Sequence, residues 1–382
     1  MKIIFTVATY YPQKDGVSHV TQYLAEGLAK KGHSVVVFTR VYGTEPVSET
    51  HNKVEIIRFN IRVNATIYFG DKKKYIHSII NETQNTDVLI NVCTQTPTTD
   101  WLLDDLEKIN CYKILYMHGK STEWSDFSLL NIKKNVSNLL NYCRWNIYYP
   151  LIISKLKKYD KIIQLHEMDS AYIYLNKKGF SNQVVIGNAV DNDFFLNNKK
   201  NDIPNYIINV NNYCSRKNQM ACLECFYKAE TNNFELILIG SEKNSYYEGL
   251  VHMIPKLSRK YGKKRVRLLY EIKRKNIPKY VANASIYLMT SKWEAFPISL
   301  MEGMACGVPF ITTNVGIVET FEGGFCDYDY NEITKHLTDL CSDSYKREKL
   351  SKQAKNYALN HFTQNEKIDY LESQIKELVG TK

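Results

Sequence analysis

Residues 285–314 read SIYLMTSKWEAFPISLMEGMACGVPFITTN. The first seven form an apolar run of strand length, and PFITTN restores that pattern at the other end. Between them Pro297 precedes ISLMEGMAC, a short helical stretch that Gly307 and Pro309 bring to a stop. A helix that follows a parallel strand points its N-terminus into the intervening loop. Free backbone N–H groups there attract phosphate, whereas the neighbouring Glu294 and Glu302 would repel it and accept hydrogen bonds from hydroxyls. The pair suggests a ligand with both phosphate and sugar hydroxyls. Acids flanking a helix start are also ordinary dipole partners, so this stretch alone leaves both readings open.

The same alternation of short strands and longer helices begins at the first residue. Strands are predicted at KIIFTVAT, SVVVFTR, VEIIRFN, DVLINV, YKILYMH, KIIQLH and QVVIG. Between the first two, SHVTQYLAEGLAKKGH carries Val20, Leu24 and Leu28 on one helical face, with Gly32 as its stop. After the polar stretch NNKKNDIPN the alternation restarts at YIINVNNY and continues through FELILIG and RVRLLY. The pattern predicts two doubly wound α/β domains in series, residues 1–200 and 201–360. A ligand is expected where the strands' carboxyl ends face each other across a central cleft. Residues 361–382 hold a terminal helix with Ile368, Leu371, Ile375 and Leu378 on one side, expected to pack back on the first domain.

Composition sets the bounds. A chain of 382 residues exceeds the usual single core, and 44% hydrophobic with 24% charged residues is an ordinary globular balance. The net charge of +10 is spread along the chain, which suits anionic small molecules or an acidic membrane surface as well as nucleic acid. Of these, no nucleic-acid partner is expected. Nine scattered cysteines fit the reduced thiols of a cytoplasmic enzyme, and Cys222 with Cys225 has the spacing of one helix face in a core. The opening MKIIFTVATYYP reads as a buried strand, not a signal peptide, and no run reaches the ~18 apolar residues of a membrane span. No metal is expected: the D-x-D at Asp327 to Asp329 reads as a turn, and no G-x-G-x-x-G follows a strand as a dinucleotide enzyme would require.

Residues 131–161 hold seven bases, Lys133, Lys134, Arg144, Lys155, Lys157, Lys158 and Lys161, against the single acid Asp160. Val136, Leu139, Leu140, Cys143 and Ile147 recur at helical spacing beside Tyr142, Trp145, Tyr148 and Tyr149, and Pro150 interrupts the pattern. Such a segment anchors on an anionic leaflet or forms the solvated face of a core helix. Both readings stand.

TSKWEAFPISLMEGMACGVPFITTNVGIVE resembles the signature of the family 4 retaining glycosyltransferases, the glycosyl transferases group 1 of GT-B fold, with Glu294 and Glu302 at the positions of its E-x7-E motif. The likeness extends to YYPQKDGVSHVTQYLAEGLAKKGHSVVVFTR, ILYMHG, VIGNAVDNDFF and NVNNYCSRKNQ, in the family's order. It implies two Rossmann-like domains, a nucleotide-sugar donor held by the second and a glycan or lipid-linked saccharide acceptor against the first. By the same resemblance Glu294 and His118 are the catalytic candidates. Gly16, Arg216, Lys217, Phe296, Ile298, Ser299 and Glu302 are the substrate-binding candidates. Glu302 would take the ribose hydroxyls, the backbone at Ile298 and Ser299 would face the diphosphate, and Arg216 with Lys217 would offset its charge. Val17 stands where the family often has a second glycine, and Asn211 and Asn212 where Gly-Arg is common.

The resulting expectation is a cytoplasmic, retaining glycosyltransferase of cell-surface polysaccharide synthesis that needs no cofactor, with residues 131–161 as its candidate contact with the inner face of the membrane. The alternative is a noncatalytic scaffold at the membrane surface on the same fold.

Overall fold

A computed structural model describes residues 1–13, 15–64, 67–119, 132–197, 205–231 and 233–380, with backbone alone at 132–141 and 145. The chain divides into two compact units, Met1–Ile186 with Ile368–Lys382, and Gly187–Lys367.

The first unit begins β1 (Lys2–Thr6), α1 (Gly16–Lys30), β2 (Ser34–Arg40), β3 (Ser48–His51), β4 (Val54–Phe59), β5 (Ile61–Asn64), β6 (Ile67–Gly70) and α2 (Lys72–Glu82). It continues β7 (Val88–Val92), α3 (Pro97–Asp100), β8 (Tyr112–Tyr116), α4 (Ile132–Leu156), β9 (Lys161–Gln164), α5 (Ser170–Lys177) and β10 (Gln183–Val185). Eight strands form one sheet in the order β10-β9-β8-β7-β1-β2-β4-β3, parallel except at the edge strand β3. Every residue of β7 is buried, as a central parallel strand covered on both faces must be. The order reverses at β1, which pairs with β2 on one side and β7 on the other. The loops leaving β1 and β7 at their carboxyl ends therefore diverge and open a crevice.

The hairpin β5–β6 lies outside this sheet. Its strands are short and mostly exposed, so no alternation of apolar and polar residues betrays them in the sequence.

The second unit runs α6 (Asn192–Leu196), β11 (Tyr206–Val210), α7 (Gln219–Lys228), β12 (Glu235–Ile239), α8 (Ser245–Tyr261), β13 (Val266–Leu269), α9 (Ile277–Ala282) and β14 (Ile286–Met289). Then come α10 (Ile298–Ala305), β15 (Phe310–Thr313), β16 (Gly324–Asp327), α11 (Tyr330–Ser342), α12 (Ser344–His361) and α13 (Gln364–Val379). Its six strands are all parallel, in the order β13-β12-β11-β14-β15-β16, and the order reverses between β11 and β14. Gly303 lets α10 lie close on β14: a Cβ there would stand 2.8 Å from the Tyr287 ring.

The units divide at Ile186, ahead of the polar stretch 197–205. Apolar side chains decide this. Phe194 is buried in the second core, and the Val190 N–H donates to the Phe362 carbonyl at 2.9 Å. At the other end, Ile368, Leu371 and Ile375 of α13 are buried. A Cβ at Gly27 of α1 would meet Ile368 Cδ1 at 2.3 Å. Glu372 is paired with Lys31 at 2.6 Å and His33 at 2.9 Å, and the Lys31 ammonium above all holds its carboxyl down to about 2.

All nine cysteines are free, and Cys222 and Cys225 pack in the core between α7 and its sheet. Among the described residues no helix is long and apolar enough to cross a membrane. In α4 the described aromatics divide. Tyr149 is buried with its hydroxyl 2.9 Å from that of Thr94, and the Tyr148 hydroxyl donates to Asp100, so these two serve the core. Lys155, Lys158 and Lys161 pair with Asp104, Glu107 and Glu377 at 2.5, 2.9 and 2.6 Å. The side chains of Lys133, Lys134, Val136, Leu139, Leu140 and Trp145 lie outside the described residues.

Candidate functional site

In the second unit the reversal of strand order sets two loops side by side, 211–218 after β11 and 290–297 after β14. The chain ties them together. Thr290 Oγ1 donates to the Asn218 carbonyl at 2.8 Å, the Lys292 N–H to the Arg216 carbonyl at 2.8 Å, and the buried Gln219 amide to the carbonyls of Asn211 and Asn212 at 3.2 and 2.9 Å. Asn218 adopts a left-handed conformation (φ 49°) that turns the loop into α7.

This frame brings three of the sequence candidates into contact. Lys217 Nζ lies 2.5 Å from Glu294 Oε1 and Arg216 Nη1 lies 3.4 Å from Oε2, with the Glu294 side chain only 7% exposed. Arg216 also stands over the Trp293 ring, 5.7 Å from its centroid. A buried ion pair gives up hydration that its mutual attraction hardly repays, so the cations are readily exchanged onto a stronger anion that enters the site. The cations expected to offset a diphosphate and the carboxylate expected to act in catalysis are thus each other's partners.

The N-terminus of α10 opens beside this cluster. Pro297 supplies no side-chain cap, and the first helical residues, Ile298 and Ser299, present backbone N–H groups without intrahelical acceptors. Ser299 Oγ bonds Asn211 Oδ1 at 3.2 Å, tying the helix start to the β11 loop. Gly316, with φ 62°, lies under the Glu294 loop: a Cβ there would sit 2.4 Å from the Glu294 carbonyl oxygen. Phe296 points elsewhere, packing against Phe321 and Phe362 with ring centroids 6.2 and 6.4 Å away.

One turn into α10, Glu302 is buried and accepts from Arg274 Nη2 at 2.5 Å, and the same nitrogen lies 3.0 Å from Asp191 Oδ2. Sequence reasoning missed Arg274. It stands in the basic run KRK (273–275), where nothing singles out the middle residue, and its pairing with Glu302 exists only through the fold. The guanidinium fixes one carboxylate oxygen and so orients the other side of the group.

Gly16 and His118 belong to the first unit. Gly16 opens α1 behind the Asp15 cap, which accepts from the Ser18 N–H at 2.9 Å, and the space above its Cα is open. His118 follows β8. Its Nε2 is enclosed with no hydrogen-bond partner, and burial pulls the imidazole down to about 4 against the opposing field of Asp15. It is therefore neutral near pH 7 and offers a hydrogen bond, not a charge.

In the D-x-D, Asp327 accepts from the Asp329 N–H and Asp329 from the Asn331 N–H, both at 2.8 Å, as turn and helix cap. Among the described residues no three His, Cys, Asp or Glu side chains gather to hold a metal ion.

Residues 191–357 match the family model of the glycosyl transferases group 1, which bears out the resemblance read from the sequence. Spore coat protein SA of Bacillus subtilis is 28% identical over 142 residues, 33% of this chain and 36% of that protein. The chain spans about a third of the length of the curated relatives it matches. Two solved structures align over nearly all of both chains. Sucrose-phosphate synthase from Thermosynechococcus elongatus has a TM-score of 0.75 at 16% identity, covering 100% of each chain. Anabaena HepE, solved in complex with UDP, has 0.70 at 15%, covering 99% of this chain and 100% of its own. The fold is GT-B, two Rossmann-like domains.

Proposed function

We propose that this chain, whose residues 191–357 match the glycosyl transferases group 1, is a retaining glycosyltransferase that moves a hexose from a nucleotide-sugar to a glycan or lipid-linked acceptor in polysaccharide synthesis. The observation that carries the reading is the buried Glu294 held by Lys217 and Arg216 beside the open N-terminus of α10. That arrangement joins an anion site to a carboxylate. The donor's diphosphate would lie on the N–H groups of Ile298 and Ser299 and draw Lys217 and Arg216 away from Glu294. Glu294, released, would face the sugar. Glu302, oriented by Arg274, would accept from the ribose hydroxyls. HepE's complex with UDP supports a uridine nucleotide as the first donor to try.

In the reaction the bond between the anomeric carbon and the β-phosphate oxygen breaks, and the acceptor hydroxyl forms its bond on the same face. Its proton passes to the departing phosphate oxygen, which leaves a nucleoside diphosphate and a glycoside of unchanged configuration. Positive charge grows on the sugar ring as the first bond lengthens, and a fixed carboxylate then stabilises the transition state more than the ground state. On the first unit, neutral His118 would hydrogen-bond a sugar hydroxyl near the acceptor, with Gly16 leaving room for it. Charge compensation by Arg216 and Lys217 makes an essential metal unnecessary in this scheme, so activity should survive exhaustive EDTA treatment.

Peripheral membrane contact through α4 belongs to the same proposal. It is supported by the exposed Ile147 and Leu151, one turn apart, and by Lys157, exposed just past the end of the helix. The noncatalytic alternative would retain this contact and bind no nucleotide. Thermal shift separates the two. UDP should raise the melting temperature of the wild type and not that of Lys217→Gln; no shift with any nucleoside diphosphate would refute the enzyme reading.

A further inference from the structure

A cavity of about 220 Å³ opens in the first unit at the carboxyl ends of β1, β2 and β7, where the strand order reverses. Its walls include Ala8, Arg40, Tyr68, Gln95 and Arg144, with two guanidiniums and no carboxylate among the residues that line it. The volume is below that of pockets for whole drug-sized ligands, so the space suits one small group and not a nucleotide-sugar.

The two arginines differ in their surroundings. Arg144 comes from α4 and lies beside Tyr68 and Asp100. Asp100 stands behind the wall, accepting from the Tyr148 hydroxyl and the Gln95 N–H on one oxygen and from the Tyr68 hydroxyl at 3.1 Å on the other. Arg40 ends β2 with its guanidinium stacked 3.9 Å over the Tyr42 ring, and its Nε is enclosed without a hydrogen-bond partner. No carboxylate of the described residues pairs with it. Asp15, which also acts on Tyr42, is occupied in capping α1. A guanidinium fixed in plane, with an enclosed N–H that bonds nothing, forgoes hydration without repayment unless an anion completes it. The loop that supplies part of the wall is strained as well: Gln95, which lines the cavity, and Cys93 two residues before it hold φ 64° and 63°, though neither is a glycine. Such conformations cost about 1–3 kcal/mol each and concentrate at sites that grip ligands.

We propose that this cavity takes an oxyanion, a phosphate or carboxylate carried by the sugar acceptor, with Arg40 and Arg144 as its charge partners. The proposal rests on the reading of the first unit as the acceptor side. It narrows that reading to acidic acceptors: a sugar phosphate, a phosphate-linked lipid or a uronic acid. Planar guanidiniums suit the forked geometry of either oxyanion, and a neutral sugar would leave the enclosed Nε of Arg40 unanswered.

The test is calorimetric titration of the full chain with inorganic phosphate and, separately, with glucuronate, while UDP saturates the second unit. At least one should bind. Arg40→Gln and Arg144→Gln should each weaken that binding about tenfold, the loss of a charge-assisted hydrogen bond, and leave UDP affinity unchanged. Arg40→Lys, which keeps the charge and loses the fork, should fall between. Tighter phosphate binding points to a phosphorylated acceptor and tighter glucuronate to a uronic acid, and either supports the site. Absence of binding by both anions, or binding indifferent to Arg40, overturns it. If UDP itself fails to bind, the same titration in Lys217→Gln silences the other basic cluster, and dependence on Arg40 still decides the question.

Discussion

The two units each gather basic side chains near the point where the order of their parallel strands reverses, and they treat charge in opposite ways. In the second, Lys217 and Arg216 share the carboxylate of Glu294, and Arg274 pairs with Glu302 and Asp191. In the first, Arg40 has none among the described residues. A self-neutralised cluster stays folded without ligand and exchanges partners when a polyanion arrives, whereas an unanswered guanidinium waits for one charge. The first arrangement suits a donor that comes and goes as a diphosphate. The second suits recognition of a fixed group.

The largest effect expected from breaking this contrast falls on the paired side. Glu294→Gln keeps the shape and removes the charge, and should lower kcat by roughly a hundredfold, as losing one electrostatic contact to a transition state does. Steady-state kinetics check it; wild-type kcat would detach Glu294 from the chemistry. Next comes Gly316→Ala, whose added methyl must push the Glu294 carbonyl away. It should cost about tenfold in kcat with UDP affinity retained, since small misplacements of a catalytic group are expensive. Glu302→Ala should act on ground and transition states alike, raising donor KM by about tenfold with kcat near wild type.

Smaller shifts, visible in stability, sharpen the comparison in the first unit. His118 is held down to about 4 and Asp100 raised to about 6, both by burial. As pH falls below the ordinary histidine value of 6.5, the unfolded chain takes up His118's proton before the folded one, which destabilises the fold until pH 4. Asp100 acts the other way: the folded state takes its proton near pH 6, before the unfolded chain does, and gains stability toward pH 4. The two slopes oppose. Between pH 7 and 4.5, urea midpoints should show His118→Gln gaining up to ~2 kcal/mol relative to wild type and Asp100→Asn losing a similar amount.

The contrast also explains what was legible. Strands such as Ser34–Arg40 could be placed to the residue because buried parallel strands are continuous apolar runs, and Glu294 and Glu302 could be singled out because one βαβ unit carries both. Arg274 could not, since its partner is on another element. The cavity in the first unit draws one or a few residues from each of several segments, among them a hairpin with no periodic pattern, and no single stretch announces it. The division at Ile186 escaped for a related reason: polarity draws the eye to residues 197–205, while the side chains that commit the chain to its second core, Val190 and Phe194, precede them.

Real-time proton NMR of the protein with a panel of UDP-sugars, and water as the acceptor of last resort, decides whether the proposed transfer from a donor on the second unit proceeds with retention. UDP should be released from one α-linked donor and the first-formed sugar should be the α anomer, with release reduced about a hundredfold in Glu294→Gln. A β anomer formed first, or no turnover of any nucleotide-sugar, would contradict the proposal.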